Sequence, residues 1–119
     1  MFLLWILQIN YFEQGLYYYN QSMYDKAKDF FLKSTQKEFN SNSFLYLGVL
    51  YQNGYGVDQD YITAFSYLIK ASEKGNDRAL KLLGDFFYYG YGVQKDYSKA
   101  FEYYLKSAES KNIYMHYIV

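Results

Sequence analysis

The chain has 119 residues, with no cysteine, no proline and a single histidine. Without cysteine there is no disulfide framework, no thiolate zinc site, no iron–sulfur cluster and no cysteine nucleophile. One histidine, His116, excludes a multi-histidine metal site. Nor is there an excess of charge of either sign, because 12 basic and 12 acidic residues cancel. A neutral chain lacks the surplus of cations that neutralises a phosphate backbone, so no nucleic-acid partner is expected. The same neutrality removes self-repulsion and eases self-association.

Long hydrophobic runs are missing too. The most apolar stretch, Met1 to Ile9, falls far short of the ~20 residues that cross a bilayer, so no membrane span is expected. It resembles the apolar core of a signal peptide, but no basic residues precede it and no small-x-small cleavage site follows. Three readings of this segment stay open: a helix packing on the next unit, a degenerate targeting segment, or an exposed patch that mediates assembly. The lack of cysteine and of a cleavable leader favours the cytoplasm, with secretion and the endoplasmic reticulum left open.

Aromatic residues are abundant instead, at 24% of the chain, with 18 tyrosines. An AT-rich coding bias would produce this, and so would a tyrosine-rich binding face, since tyrosine offers rigid amphipathic contact area at low entropy cost. About half the residues are apolar, enough for one domain or a short repeat array to build a core without staples.

The array is visible in the sequence. Leu47-Gly48-Val49-Leu50-Tyr51-Gln52-Asn53-Gly54-Tyr55-Gly56-Val57 recurs 36 residues later as Leu83-Gly84-Asp85-Phe86-Phe87-Tyr88-Tyr89-Gly90-Tyr91-Gly92-Val93. At the same offset Asp60-Tyr61 recurs as Asp96-Tyr97, Ala64-Phe65 as Ala100-Phe101, and Lys70, Glu73 and Asn76 as Lys106, Glu109 and Asn112. Each unit reads as two helices. Ala64, Leu68 and Ala71 lie on one face of a 3.6-residue period, and Ala100, Tyr104 and Ser107 repeat that face. Asp60 and Asp96 are placed as N-caps. Gly54 and Gly90 fall where the first helix must stop, in the left-handed conformation. Gly56 and Gly92 then permit a tight reversal, sealed by Val57 or Val93.

Gly48 and Gly84 lie inside helices, where glycine costs about 1 kcal/mol relative to alanine. That cost is tolerable if a neighbouring helix approaches closely, with Ala64 and Ala100 as the expected partners. A large side chain there would wedge the pair apart, at roughly 1–3 kcal/mol. Upstream, Gly15, Tyr18, Tyr24, Ala27, Phe31 and Ser34 show the same succession. There glycine and alanine are 12 residues apart, against 16 in the later units, so the first unit lacks four residues of connection. Residues 112–119 match the start of another first helix.

Gly15, Tyr18, Ala27, Phe31 and Ser34 resemble a tetratricopeptide repeat. The later units resemble its longer-looped relative, the Sel-1-like repeat. The pattern Leu-Gly-x-x-Tyr/Phe-x-x-Gly-x-Gly-Val-x-x-Asp-Tyr-x-x-Ala holds from Leu47 to Ala64 and from Leu83 to Ala100. Lys111 departs from it, standing where Gly75 ends the preceding unit. Ser107 departs too, standing where the earlier unit has Ala71. Both departures suggest a looser end to the third unit. The resemblance implies an all-α, right-handed α-solenoid of about three antiparallel helix pairs plus a partial terminal helix. Its parts would be an apolar segment at 1–8, a tetratricopeptide-like repeat at 9–40, Sel-1-like repeats at 41–76 and 77–112, and a partial first helix at 113–119.

Motifs for chemistry are weak by comparison. The Gly-x-Gly pairs lack the third glycine and the preceding strand of a dinucleotide fingerprint, and no phosphate-loop Gly-Lys-Ser/Thr occurs. A serine triad would need His116, four residues from the end in an apolar run. The recurring Lys70, Lys106, Glu73 and Glu109 read as a solvated outer face. No cofactor, metal or catalytic residue is expected.

Solenoids of this kind grip partners along a concave face lined by first helices. Carried over from the repeat glycines, that lining is Phe12, Leu16, Tyr19 and Asn20 in the first unit. It continues with Asn42, Leu45, Val49, Gln52 and Asn53 in the second, and Arg78, Lys81, Asp85, Tyr88 and Tyr89 in the third. The mixture suits an extended peptide of some acidic character. Phe12, Leu16 and Tyr46 stand where a clamp for a peptide C-terminus would need polar groups, so that mode is not expected. The resemblance implies a non-catalytic adaptor or scaffold that binds a protein or peptide. The alternative is a structural, self-assembling unit, or a fragment of a longer array, joined through uncapped ends.

Overall fold

The computed structural model describes the backbone of residues 9–118 and the side chains of residues 9–110. The apolar segment at 1–8 and the side chains of 111–119, His116 among them, lie outside the described residues. Among the described residues six helices follow one another: α1 (Tyr11–Asn20), α2 (Tyr24–Lys37), α3 (Ser41–Asn53), α4 (Tyr61–Glu73), α5 (Asp77–Tyr89) and α6 (Tyr97–Ile118). There is no strand among the described residues. The main packing partners are neighbours in the chain, α1 with α2, α2 with α3, and so on to α5 with α6. Such nearest-neighbour stacking defines a solenoid.

The repeat punctuation behaves as the sequence indicates. Gly54 ends α3 at φ 68° and ψ 37°, and Gly90 ends α5 at φ 73° and ψ 43°. In both turns the next amide reaches back into the helix, Tyr55 to the Leu50 carbonyl and Tyr91 to that of Phe86, each at 2.9 Å. A residue with a Cβ pays to adopt this left-handed geometry. The Asp60 carboxylate accepts from the amides of Ile62 and Thr63, and Asp96 accepts from Lys99, satisfying first-turn donors of α4 and α6. The shorter first connection covers residues 21–23, where the two later connections cover 54–60 and 90–96. Ser22, at φ 60°, takes the left-handed position that glycine takes elsewhere.

Within each pair a glycine of the first helix receives a large side chain of the second. A Cβ on Gly15 would stand 2.6 Å from the Phe31 ring, and one on Gly48 would stand 2.8 Å from Leu68. On Gly84 it would stand 2.6 Å from the Tyr104 ring. Ala64 and Ala100 were the expected partners, and the Ala64 backbone does approach Gly48, but the side chain that fills each gap is another. The filler is the residue one turn beyond the alanine, because side chains lean along the helix and the larger group reaches the gap. Ala27 and Ala64 contribute through their carbonyls, each 3.3 Å from the built Cβ.

Between pairs lie two seams. At α2/α3, Ala27, Phe31, Leu47 and Leu50 form a fully buried cluster. A larger cluster holds Leu45, Ala64, Leu68, Ala71, Ala79, Leu83 and Phe86 around α4/α5. Each seam is clamped by a tyrosine pair, Tyr24 on Tyr55 at 4.7 Å and Tyr61 on Tyr91 at 4.9 Å between centroids, both stacked. Gly56 and Gly92 make room, since a Cβ on either would stand 2.8 Å from the Cβ of Tyr24 or Tyr61.

The last unit differs from expectation in two ways. α6 continues to Ile118 without a break near residue 112. Lys111 replaces the glycine that would end it, so no left-handed stop is encoded. Ser107 does not loosen the packing either: it is buried, and its hydroxyl donates to the Asp77 carbonyl at 3.0 Å. A serine in place of alanine here adds a tie between α6 and the start of α5.

Candidate functional site: a groove between first helices

The first helices of the second and third units, α3 and α5, run side by side with an open groove of about 390 Å³ between them. Leu45, Tyr46 and Val49 line it from α3, and Arg78, Lys81 and Leu82 from α5. The spacing places each trio on one helix face. The floor and walls are apolar, while Arg78 and Lys81 stand exposed at the rim.

The groove's register is fixed from below. Asn76, buried at the N-cap of α5, accepts from the Ala79 amide. Its side-chain amide donates to Ser41 at 3.0 Å and to Asn42 at 2.8 Å, at the start of α3. One side chain therefore caps α5 and pins it to α3. On the α3 side, Tyr46 is held by rings of the first unit, with Tyr19 at 5.0 Å and Phe31 at 5.4 Å. Burial raises the Tyr19 phenol above its ordinary range, so it stays neutral.

Of the residues expected along the concave face, the structure brings four together here: Leu45, Val49, Arg78 and Lys81. The others lie outside it. Asn42 is spent on Asn76. Asn53 donates to the Val49 carbonyl of its own helix. Gln52, half-buried, offers its backbone carbonyl to the Gln59 side chain. Asp85 turns back to accept from the Tyr104 hydroxyl, and burial together with that carboxylate pushes the Tyr104 phenol well above the usual tyrosine range. Tyr19 packs among rings, and Asn20 is exposed at the end of α1. Tyr88 and Tyr89 lie at the far end of α5, against Tyr97 and Tyr91.

Leu82 was not expected in the lining, and Tyr46 was expected there only as an obstacle to a clamp for a chain terminus, although the signal for both was there. Leu82 follows Tyr46 by 36 residues, as Lys81 follows Leu45. The wall is thus built twice from one repeat position.

Elsewhere the recurring lysines are exposed as expected, yet their ammonium groups lie over rings. Lys70 sits 5.9 Å from the Tyr67 centroid and Lys106 sits 5.7 Å from that of Tyr103. Among the described residues no three metal-ligating side chains come together, and no helix is long and apolar enough to cross a membrane.

The model of the Sel1 repeat matches residues 45–76 and 77–112, more than half the chain. The chain belongs to the Sel1 repeat family. Solved structures agree with that assignment. A Sel1 repeat protein from Oxalobacter formigenes superposes with a TM-score of 0.76 at 28% identity, over 84% of this chain and 42% of that one. The protein c5321, a protective antigen present in uropathogenic Escherichia coli strains and displaying an SLR fold, gives 0.78 at 31% identity, over 87% of this chain and 23% of its own. This Sel1 chain therefore spans less than half the length of the solved structures it matches. None of the curated proteins matches it. Sel1 repeat proteins generally serve as scaffolds for protein–protein interaction.

Proposed function

We propose that this Sel1 chain is a non-catalytic interaction module that holds an extended segment of a partner protein in the α3/α5 groove. The observation that carries this reading is an apolar trough, formed by Leu45, Tyr46, Val49 and Leu82, beneath an exposed cationic rim of Arg78 and Lys81. Such a trough suits an apolar side chain of the partner next to an aspartate or glutamate. The apolar group supplies the anchor. Arg78 offers a planar fork to the carboxylate, and Lys81 adds a point charge. Because both cations are exposed, they contribute selectivity and encounter rate more than affinity. Phe12, Leu16 and Tyr46 leave no polar clamp for a chain terminus, so the bound carboxylate belongs to a side chain. The partner is a protein, and the expected affinity is micromolar.

The test is fluorescence anisotropy with labelled peptides that pair a leucine or phenylalanine with aspartate or glutamate. Matched peptides carrying lysine serve as controls. The acidic set should bind, and the double variant Arg78→Glu/Lys81→Glu should weaken binding by about tenfold or more, each tenfold being 1.4 kcal/mol. Its thermal midpoint should stay unchanged, since both residues are exposed. Added salt should weaken binding as well. Equal binding of acidic and basic peptides, or an unchanged Kd in the double variant, would contradict the reading.

A further inference from the structure

The α3/α5 groove has a neighbour built on the same repeat positions. Gly15, Gly48 and Gly84 mark equivalent points of α1, α3 and α5. Glu13 stands two residues before the first of them, as Tyr46 and Leu82 stand before the others. By the same alignment Phe12 and Leu16 correspond to Leu45 and Val49. Leu45, Tyr46 and Val49 form the α3 wall of the α3/α5 groove. The matching wall on α1 is Phe12, Glu13 and Leu16, and α3 lies directly beside it. The Tyr46 ring is 5.9 Å from that of Phe12 and 5.0 Å from that of Tyr19. Both helices that flank this second strip are therefore present, and Tyr46 is common to the two.

The two strips differ in the sign of their charge. Where α5 brings Arg78 and Lys81 to its rim, the same positions of α3 hold Asn42 and Leu45. Asn42 is bonded to Asn76, and Leu45 is buried. Where α3 and α5 have Tyr46 and Leu82, α1 has Glu13, exposed in its first turn. Glu38 adds a second carboxylate at this end, bonded to the Tyr11 and Phe12 amides. Lys33, by contrast, is drawn over the rings of Tyr11 and Phe30, towards α2. An extended segment that crosses the first helices thus meets an anionic rim at α1, apolar side chains at α3 and a cationic rim at α5. Packed helices lie about 8–10 Å apart, so the crossing from α1 to α5 takes about 20 Å, or about six residues of extended chain. We infer that the partner segment is charge-ordered, an inference that rests on its occupying the α3/α5 groove. Its acidic residue sits at Arg78 and Lys81, its apolar residues lie between, and a lysine or arginine about six residues away sits at Glu13. The reverse order sets like charges against each other at both ends, so the rims fix which way the segment lies.

Anisotropy titrations with two lengths of peptide test this. The short peptide carries only the acidic and apolar residues. The long ones extend it by about six residues to a final lysine or glutamate, on the amino side in one set and on the carboxyl side in the other. In one of these sets the lysine peptide should bind about two- to fivefold tighter than its glutamate twin, the size of an exposed ion pair, and salt should shrink the difference. Glu13→Lys should reverse the preference. Glu13→Gln should abolish it, and this variant decides the matter should lysine in the first turn of α1 disturb the helix. Each preference is read as a ratio of two Kd values within one variant, so a general loss of affinity does not imitate it. A short peptide that binds while neither set prefers lysine would overturn the charge order and leave the α3/α5 groove standing. So would a lysine preference that persists in both Glu13 variants. A short peptide that fails to bind would overturn the α3/α5 reading, and the charge order with it.

Discussion

At the seam between α2 and α3, Ser34 and Ser43 are wholly buried and share a hydrogen bond. At the equivalent points of the seam between α4 and α5 stand Ala71 and Ala79, also wholly buried. The backbone spacing is set in both seams by a tyrosine pair over a glycine, so the space left inside is similar. It is filled either by two methyl groups or by two hydroxyls that satisfy each other. Each filling avoids an orphaned polar atom, and no buried side-chain nitrogen or oxygen among the described residues lacks a partner. The hydroxyl version does one thing more. Ser34, accepting from Ser43, gives its own proton to Glu38, whose carboxylate accepts from the amides of Tyr11 and Phe12. That ties the first seam to the exposed donors at the start of α1. In the second seam the tie is Asn76, bridging α5 to α3.

The comparison is broken most severely at the shared element. Gly56→Ala combines φ +70° with a Cβ 2.8 Å from Tyr24 and 3.1 Å from the Asp25 nitrogen. It should cost about 3 kcal/mol or more in urea unfolding. Gly75→Ala has a similar φ of +85° but nothing within 4 Å, so it should cost only about 1 kcal/mol. Equal losses would show that backbone strain, and not seam contact, requires Gly56.

Next in size is the polar filling. Ser34→Ala leaves the Ser43 hydroxyl buried without its partner and should cost about 1–3 kcal/mol. Adding Ser43→Ala should recover most of that loss, since the second seam tolerates two alanines. A double-mutant cycle with no coupling would refute the pairing. A smaller effect sharpens the contrast between connections: Ser22→Gly, relieving a left-handed serine, should stabilise by about 0.5–1 kcal/mol.

The smallest effect is at the Asp60 cap. The Thr63 hydroxyl, then its amide, hold the Asp60 carboxyl below the ordinary carboxylate range. A lowered folded value means the contribution is present above the unfolded value near 4 and is lost as pH falls through the folded value. Asp60→Asn should therefore flatten the acid end of the stability profile below about pH 4 and change little at neutral pH. Unfolding midpoints measured over that range check it.

The repeat, its turns and its caps were legible because their chemistry is narrow. Few residues tolerate the geometry of Gly54 and Gly90, and few cap as Asp60 and Asp96 do, so the requirement is written at fixed spacing. The gap-filling role of Tyr104 was not legible, because periodicity gives a helix face and not which member of that face reaches furthest. Nor could spacing show that Asn42 and Asp85 are spent on Asn76 and Tyr104. Those pairings depend on how neighbouring helices cross. Four of the six groove-lining residues could be read from first-helix positions, and Leu82 is the counterpart of Tyr46 at the 36-residue offset.

The most direct measurement is chemical-shift mapping on isotope-labelled protein titrated with the acidic–apolar peptide set. Saturable shifts should gather at residues 45–49 of α3 and 78–82 of α5, and vanish in Arg78→Glu/Lys81→Glu. Shifts centred on another face, or none up to millimolar peptide, would contradict the account.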